Sequence, residues 1–287
     1  MLYDARCLLA EGPHWHAERN SFSWVDIEGK KLFEYNFNSK EIKEHSIPYR
    51  VSTIVQNDAN NLILGLQGGI GSFNLETEIL TWLLDLEKEY PNRRCNDGKC
   101  DPAGRLWVGI MDEACTADEG SLYCIETDFT KHKKVDYLSI PNGIVWSLDK
   151  KRMYHIDSPT YTVKSYLYDN TTGHILFEKI AITIPQDLGS PDGMCIDEEG
   201  MVWIAHWGGF GVYRWNPETG ELLSKIEIPV PLASSCAFAG KNLDSLVITT
   251  ASTELSEEQK EQYHLSGSIF IANPGVKGIA PYKFEKQ

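Results

Sequence analysis

Apolar and polar positions alternate along most of this chain, and the alternation itself recurs. Six times a short polar loop leads into a compact apolar strand: SFSWVDIE (21–28), NLILGLQG (61–68), GRLWVGIM (104–111), KRMYHIDS (151–158), GMVWIAHW (200–207) and DSLVITTA (244–251). The fourth residues of these segments are Trp24, Leu64, Trp107, Tyr154, Trp203 and Val247, separated by 40, 43, 47, 49 and 44 residues. A period of about 40–50 residues predicts a β-propeller with four strands per blade. Each strand has a downstream partner, such as KLFEYNF, GSLYCIE or GFGVYRW, in which apolar and aromatic residues again alternate. Polar turns such as NFNSKE and NPETGE follow, where Asn, Asp and Gly supply the turn conformations.

The fold class expected is therefore all-β: a six-bladed β-propeller. After the sixth hairpin only a polar, proline-containing tail remains. LYDARCLL, near the N-terminus, is accordingly expected to supply the outer strand of the last blade and so close the ring. Residues 254–264 (ELSEEQKEQYH) predict a short helix in an insertion. No Gly/Ser linker or break in composition divides the chain, so residues 1–287 are read as one domain.

The innermost strand of a propeller blade lines the central channel. Here those strands begin EGPHW (11–15), VSTIV (51–55), NDGKC (96–100), NGIVW (142–146), DGMCI (192–196) and SSCAF (234–238). Glu11 lies 13 residues before its blade's marker, Asn96 11, Asn142 12 and Asp192 11. These residues, with Asp97 beside Asn96, occupy near-equivalent places around one channel mouth. Asp58, Asp101, Asp149 and Asp197 recur at the other end of the inner strands, within turn sequences such as CDPAGR and IDEEGM, and are read as structural. Convergent carboxylate and amide oxygens suit Ca²⁺, Mg²⁺ or Mn²⁺. The competing reading is a ring of turn caps that holds ordered water.

Charge and cysteine content narrow the partners. The net charge is −14, from 41 acidic and 27 basic residues. That disfavours a nucleic acid, which calls for a basic stripe, and an anionic membrane surface. Seven cysteines with no C-x-x-C spacing are read as small buried hydrophobes in a reducing compartment. No signal-peptide pattern is evident, and no run reaches the ~18 apolar residues of a transmembrane helix. A cytoplasmic location is the resulting expectation. His14 and His16 flank Trp15 and are read as facing opposite sides of their strand; they, His155 and His206 are assigned to packing. Lys131, Lys133 and Lys134 are read as a solvated turn. No G-x-S-x-G elbow supports a serine hydrolase.

EGPHW, NDGKCDPAGRLWVGIM, PNGIVWSLDKKRMYHIDS and SPDGMCIDEEGMVWIAHWGG, in this order and spacing, resemble the diagnostic segments of the senescence marker protein/regucalcin/gluconolactonase family. The resemblance runs from about residue 8 to the C-terminus, where GVKGIAPYKF is also similar. It implies the six-bladed propeller already expected and the hydrolysis of sugar-acid lactones, such as gluconolactone, with one divalent ion in the channel. On this resemblance Glu11, Asn142 and Asp192 are the metal ligands, Asp192 is also the general base, and Arg94, Asn96 and Asp97 contact the substrate. The ion itself stays open among Ca, Mn, Mg, Zn and Fe. A calcium-binding regulatory protein without turnover is the alternative, as is an esterase or organophosphate hydrolase of similar architecture. The segment departs from many relatives at NRRCND, with a tandem arginine and a cysteine before the asparagine. The loop MDEACTADEG (111–120) reads as a lid whose Asp112, Glu113 or Glu119 would face substrate.

Overall fold

Five of the six repeats fold as four-stranded antiparallel sheets in simple meander order, and the sixth as a three-stranded sheet. The computed structural model describes residues 1–285, so the last two residues of the expected domain lie outside the described residues. The innermost strands are Ala10–His16, Val51–Gln56, Arg93–Cys100, Pro141–Trp146, Ser190–Ile196 and Ala233–Ala239. Each contacts the inner strands of both neighbouring blades, and the first contacts the sixth, so six sheets form a closed ring around a channel.

The repeat's marker residues explain why the sheets stack. Trp24, Trp107, Trp203, Tyr154 and Leu64 are among the largest fully buried side chains, and Val247 is also buried. They lie on second strands, where alternation sends one face into the packing layer between blades. In the third and fifth blades an aspartate ties this layer to the turn at the far end of the inner strand. Asp101 accepts from the backbone N–H of Ala103 and Arg105, from Arg105 Nε at 2.6 Å, from Trp107 Nε1 at 2.8 Å and from the Tyr168 hydroxyl at 2.7 Å. Asp197 accepts equivalent bonds from Glu199 and Met201 N–H, Trp203 Nε1 and Arg214 Nε. Asp58 and Asp149 likewise accept N–H groups of their own turns. The structural reading of these four acids therefore holds.

Ring closure is looser than expected. LYDARCLL forms no continuous strand; Tyr3 makes a single antiparallel bridge to Ile269, with Cys7 N–H bonded to the Gly267 carbonyl. It does so on the edge of the short outer strand Phe270–Ala272, the place expected for it. The short helix appears as Glu257–Gln262, started by a capping box between Ser256 and Gln259. Two expectations are overturned. His14 and His16 share a face, with ring centroids 5.5 Å apart, because residues two apart in a strand point the same way. Lys131, Lys133 and Lys134 lie in an outer strand, Lys131–Leu138, rather than in a turn.

The C-terminal tail, to which the sequence assigned no role, crosses the channel opposite the Glu11 end. Lys277 O accepts from Glu198 N–H, Gly278 N–H bonds Leu243 O, and Phe284 N–H bonds Gln56 O. Phe284 is buried against Phe129, and Lys283 pairs with Glu18. The tail thus fastens to the fifth, sixth, second, third and first blades in turn.

Candidate metal and substrate site at the channel mouth

Every inner strand slips register against its second strand at the same height. The slips fall between Glu11 and His14, Val51 and Thr53, Pro141 and Ile144, Pro191 and Met194, and Ala233 and Ser235. In the third blade the slip lies opposite Val108–Ile110 and takes in Asn96 and Asp97. At each bulge the inner strand has one residue more than its partner, which turns a side chain that would lie between sheets toward the channel. Close packing leaves no room for larger residues here. Gly12 has φ +56°, and a Cβ on it would sit 2.7 Å from the Ser52 carbonyl; one on Gly193 would overlap Ser235.

The bulges bring Glu11, Asn96, Asp97, Asn142 and Asp192 to one end of the channel, with Arg94 alongside. A hydrogen-bonded chain orders the amides. Arg94 Nη1 donates to Asn96 Oδ1 at 2.6 Å, Asn96 Nδ2 donates to Asn142 Oδ1 at 3.1 Å, and Asn142 Nδ2 donates to Ser158 Oγ at 2.9 Å. The chain sets which end of the Asn142 amide is its oxygen. The second and sixth blades, which supply no mouth residue, act as supports. In the second blade the Ser52 and Thr53 hydroxyls both donate to the Asn96 carbonyl, and in the sixth Ser234 Oγ donates to the Ala10 carbonyl, beside Glu11. Asp26 and Asp157 receive the backbone N–H groups of Leu8, Leu9, Ser139 and Ile140, which lead into the strands of Glu11 and Asn142. Sequence reading missed these supports. Serines within inner strands and aspartates at the ends of second strands carry no signal that distinguishes a buttress from an ordinary strand residue.

The carboxylates are poorly compensated. Burial, and then the charge of Asp97, push the Glu11 carboxyl up to about 8, with the Gly12 N–H, Arg94 and Lys99 pulling against it. Asp192 is only partly buried at its surface but enclosed by the channel walls; burial, and then Glu11 and Asp97, hold its carboxyl well above the ordinary range. Burial raises Asp97, whose Oδ1 accepts the Gly98 N–H at 2.7 Å while Oδ2 has no partner. Repelling carboxylates with an unsatisfied buried oxygen are what a hard cation relieves. Among the described residues, no three His, Cys, Asp or Glu side chains form a metal cage. Glu11, Asp192 and the Asn142 amide oxygen are the side-chain oxygens that could hold such an ion, with open positions left for water or substrate.

The three acids of the 111–120 loop expected to face substrate, Asp112, Glu113 and Glu119, are all engaged. Asp112 caps its own turn through Ala114 N–H and Thr116, and Glu119 pairs with Arg93. Glu113 accepts from Arg50 Nη1 at 2.7 Å and from Gln67 Nε2 at 3.1 Å, and Arg50 also holds Glu28 of the first blade. Glu113 lies close enough to Arg94 for its charge to act on it, so the loop does border the mouth.

A closed six-bladed propeller with a buried carboxylate–amide mouth is the class of protein defined by these features. Residues 9–252 match the family described as SMP-30/Gluconolactonase/LRE-like region. The chain belongs to that family. It is 36% identical to regucalcin of Sus scrofa over 284 residues, covering 97% of this chain and 95% of the relative. Among solved structures it is similar to a calcium-binding protein, regucalcin, from Agrobacterium tumefaciens, at 26% identity and TM-score 0.95, covering 99% of this chain and 96% of that one. It is also similar to a luciferin-regenerating enzyme, at 30% identity and TM-score 0.92, covering 98% and 96%.

Proposed function

We propose that this protein is a divalent-metal-dependent lactonase that opens sugar-acid lactones such as gluconolactone to the aldonic acid. The observation that carries the reading is the set of under-compensated carboxylates, Glu11 and Asp192, buried beside the Arg94–Asn96–Asn142 hydrogen-bond chain. Family membership supports it. Glu11, Asn142 and Asp192 hold the ion; when bound, it supplies Lewis-acid stabilisation of the negative charge that develops on the lactone carbonyl oxygen.

The chain's own residues do the rest. Asp192 takes a proton from the attacking water at a carboxylate oxygen. Arg94, Asn96 and Asp97 bind the sugar hydroxyls and hold the carbonyl in register with the water. Arg94 suits this because its recorded donations, to Asn96 and the Cys95 carbonyl, both come from Nη1. The tail across the opposite end leaves the mouth as the route of entry.

The experiment is proton release from a panel of aldonolactones by metal-stripped protein, with each divalent ion restored in turn, beside Asp192→Asn. Hydrolysis that needs the ion and disappears in Asp192→Asn is expected. Metal binding without hydrolysis of any lactone would favour the second reading, a calcium-binding protein without turnover, which similarity to the Agrobacterium protein motivates. The Arg94–Asn96–Asn142 chain weighs against that alternative, because ion storage needs no clamp for hydroxyls.

A further inference from the structure

Beneath the mouth lies a cavity of about 90 Å³, walled mostly by apolar side chains and floored by Ile279–Tyr282 of the tail. Lys99 is the one lysine or arginine among the residues that line it. It sits two positions after Asp97 on the third blade's inner strand, and both residues line the cavity. Its ammonium donates to the backbone carbonyl of Met194. Met194 belongs to the fifth blade, so this bond passes the fourth blade and joins strands that are not neighbours in the ring.

The position of that carbonyl matters. Met194 is the residue at which the fifth inner strand regains register with the second strand, directly after the Asp192–Gly193 bulge. An innermost strand has a free edge toward the channel, where a carbonyl has no neighbouring strand to supply a donor. On its other side the bulge rests on Ser235, against which Gly193 packs so closely that no Cβ fits. The bulge is therefore gripped between Ser235 and Lys99. The lysine also brings a positive charge that favours the ionised forms of Glu11 and Asp97.

We propose that Lys99 is a positioning residue of the site: a cross-channel strut that holds the Met194 carbonyl, and through it the Asp192 bulge, in the geometry that binds the metal. The inference rests on the lactonase reading only for its kinetic consequence; the effect on metal binding stands without it. Groups that orient a ligand without touching the ion commonly change affinity by about 10–100-fold when removed.

The test compares Lys99→Met, which keeps the stem but removes the donors and charge, with Lys99→Arg, which keeps both. Mn²⁺ affinity and the Mn²⁺ electron paramagnetic resonance spectrum are measured for each, with amide hydrogen exchange at Gly193 and Met194 and aldonolactone kinetics. In Lys99→Met we expect Mn²⁺ affinity lower by about 10-fold or more, a changed spectrum, faster exchange at the two amides, and a fall in kcat with KM little altered. Lys99→Arg is expected to recover part of each. Wild-type affinity, spectrum and exchange in Lys99→Met would overturn the proposal, as would equal defects in both variants. If Lys99→Met does not fold, Lys99→Arg decides: native Mn²⁺ affinity supports the strut, and a loss as large as that of Asn142→Ala overturns it. Absence of lactone hydrolysis by the wild type would sink the lactonase reading while the Mn²⁺ and exchange measurements still decide the role of Lys99.

Discussion

The third and fifth blades each carry two acids on or just beyond one inner strand, a few residues apart and in opposite circumstances. Asp101 and Asp197, at the far turn, are fully enclosed, and between their two oxygens accept bonds from backbone N–H groups, an indole and an arginine. Asp97 and Asp192, at the mouth, face other carboxylates, and Asp97 has one oxygen with no partner at all. The first pair spends its charge on the fold. The second pair has no such set of partners. Exposure alone separates these roles poorly, since Asp97 is nearly as inaccessible as Asp101; what separates them is whether the oxygens are satisfied.

The largest effect that would sharpen this contrast is on stability. Asp101→Ala leaves Arg105, the Trp107 indole and the Tyr168 hydroxyl without their acceptor. Breaking a buried pair in this way costs about 3–5 kcal/mol, to be read by urea unfolding. A loss below about 1 kcal/mol, the size of one ordinary hydrogen bond, would break the comparison. Asp192→Asn is expected to do the reverse. Metal-free protein keeps or gains stability as a repelling charge disappears, while divalent-ion affinity falls by about 100-fold or more, the upper end of what even indirect contacts cost. Calorimetric titration alongside urea unfolding checks both halves, and a variant that unfolds easily yet binds metal normally would refute it.

Next in size is Ser158→Ala, which removes the acceptor that orients the Asn142 amide. Metal affinity should drop by about tenfold with little change in fold stability. Glu113→Gln tests the rim. Its partner Arg50 is 29% exposed and retains Glu28, so stability should change by less than about 0.5 kcal/mol, and the effect should appear in KM for bulky lactones.

The smallest effect is a control. His155 is fully buried with both ring nitrogens unpartnered, yet it sits on the second strand of the fourth blade and burial lowers its pKa to about 3. The unfolded chain takes up this proton near pH 6.5 and the folded chain does not. Its contribution to stability is therefore complete above pH 6.5 and declines as pH falls toward 3, by about 1.4 kcal/mol per pH unit. His155→Leu should flatten that acid limb and leave metal affinity untouched. A change in metal affinity would show that an unsatisfied buried atom matters to binding wherever it lies, and the comparison would lose its spatial half.

Much of this was legible from the residues. Marker spacing depends on blade length, so the six-fold repeat survives in the primary structure even where Trp is replaced by Leu, Tyr or Val. The mouth residues were legible too, because equivalent positions in successive blades keep a near-constant offset from the marker. The His14/His16 reading failed against simple strand alternation. The N-terminal strand shrank to a bridge at Tyr3 because the last blade's own outer strand, Phe270–Ala272, is short and offers little edge to pair with.

Repetition and alternation are local properties, each set by a few consecutive side chains and the pleat of a strand, and with them the sequence by itself determined the blade count, the buried marker layer and the candidate acids. Tertiary structure alone decided the bulges that turn those acids inward, the support of Asn96 by Ser52 and Thr53, the strut from Lys99 to Met194, and the sealing of the channel by the tail. Each of these joins segments that are far apart in the chain, and neither partner's residue type specifies the other. Only closure of the ring sets them face to face, and only then does burial distinguish an aspartate with partners from one without.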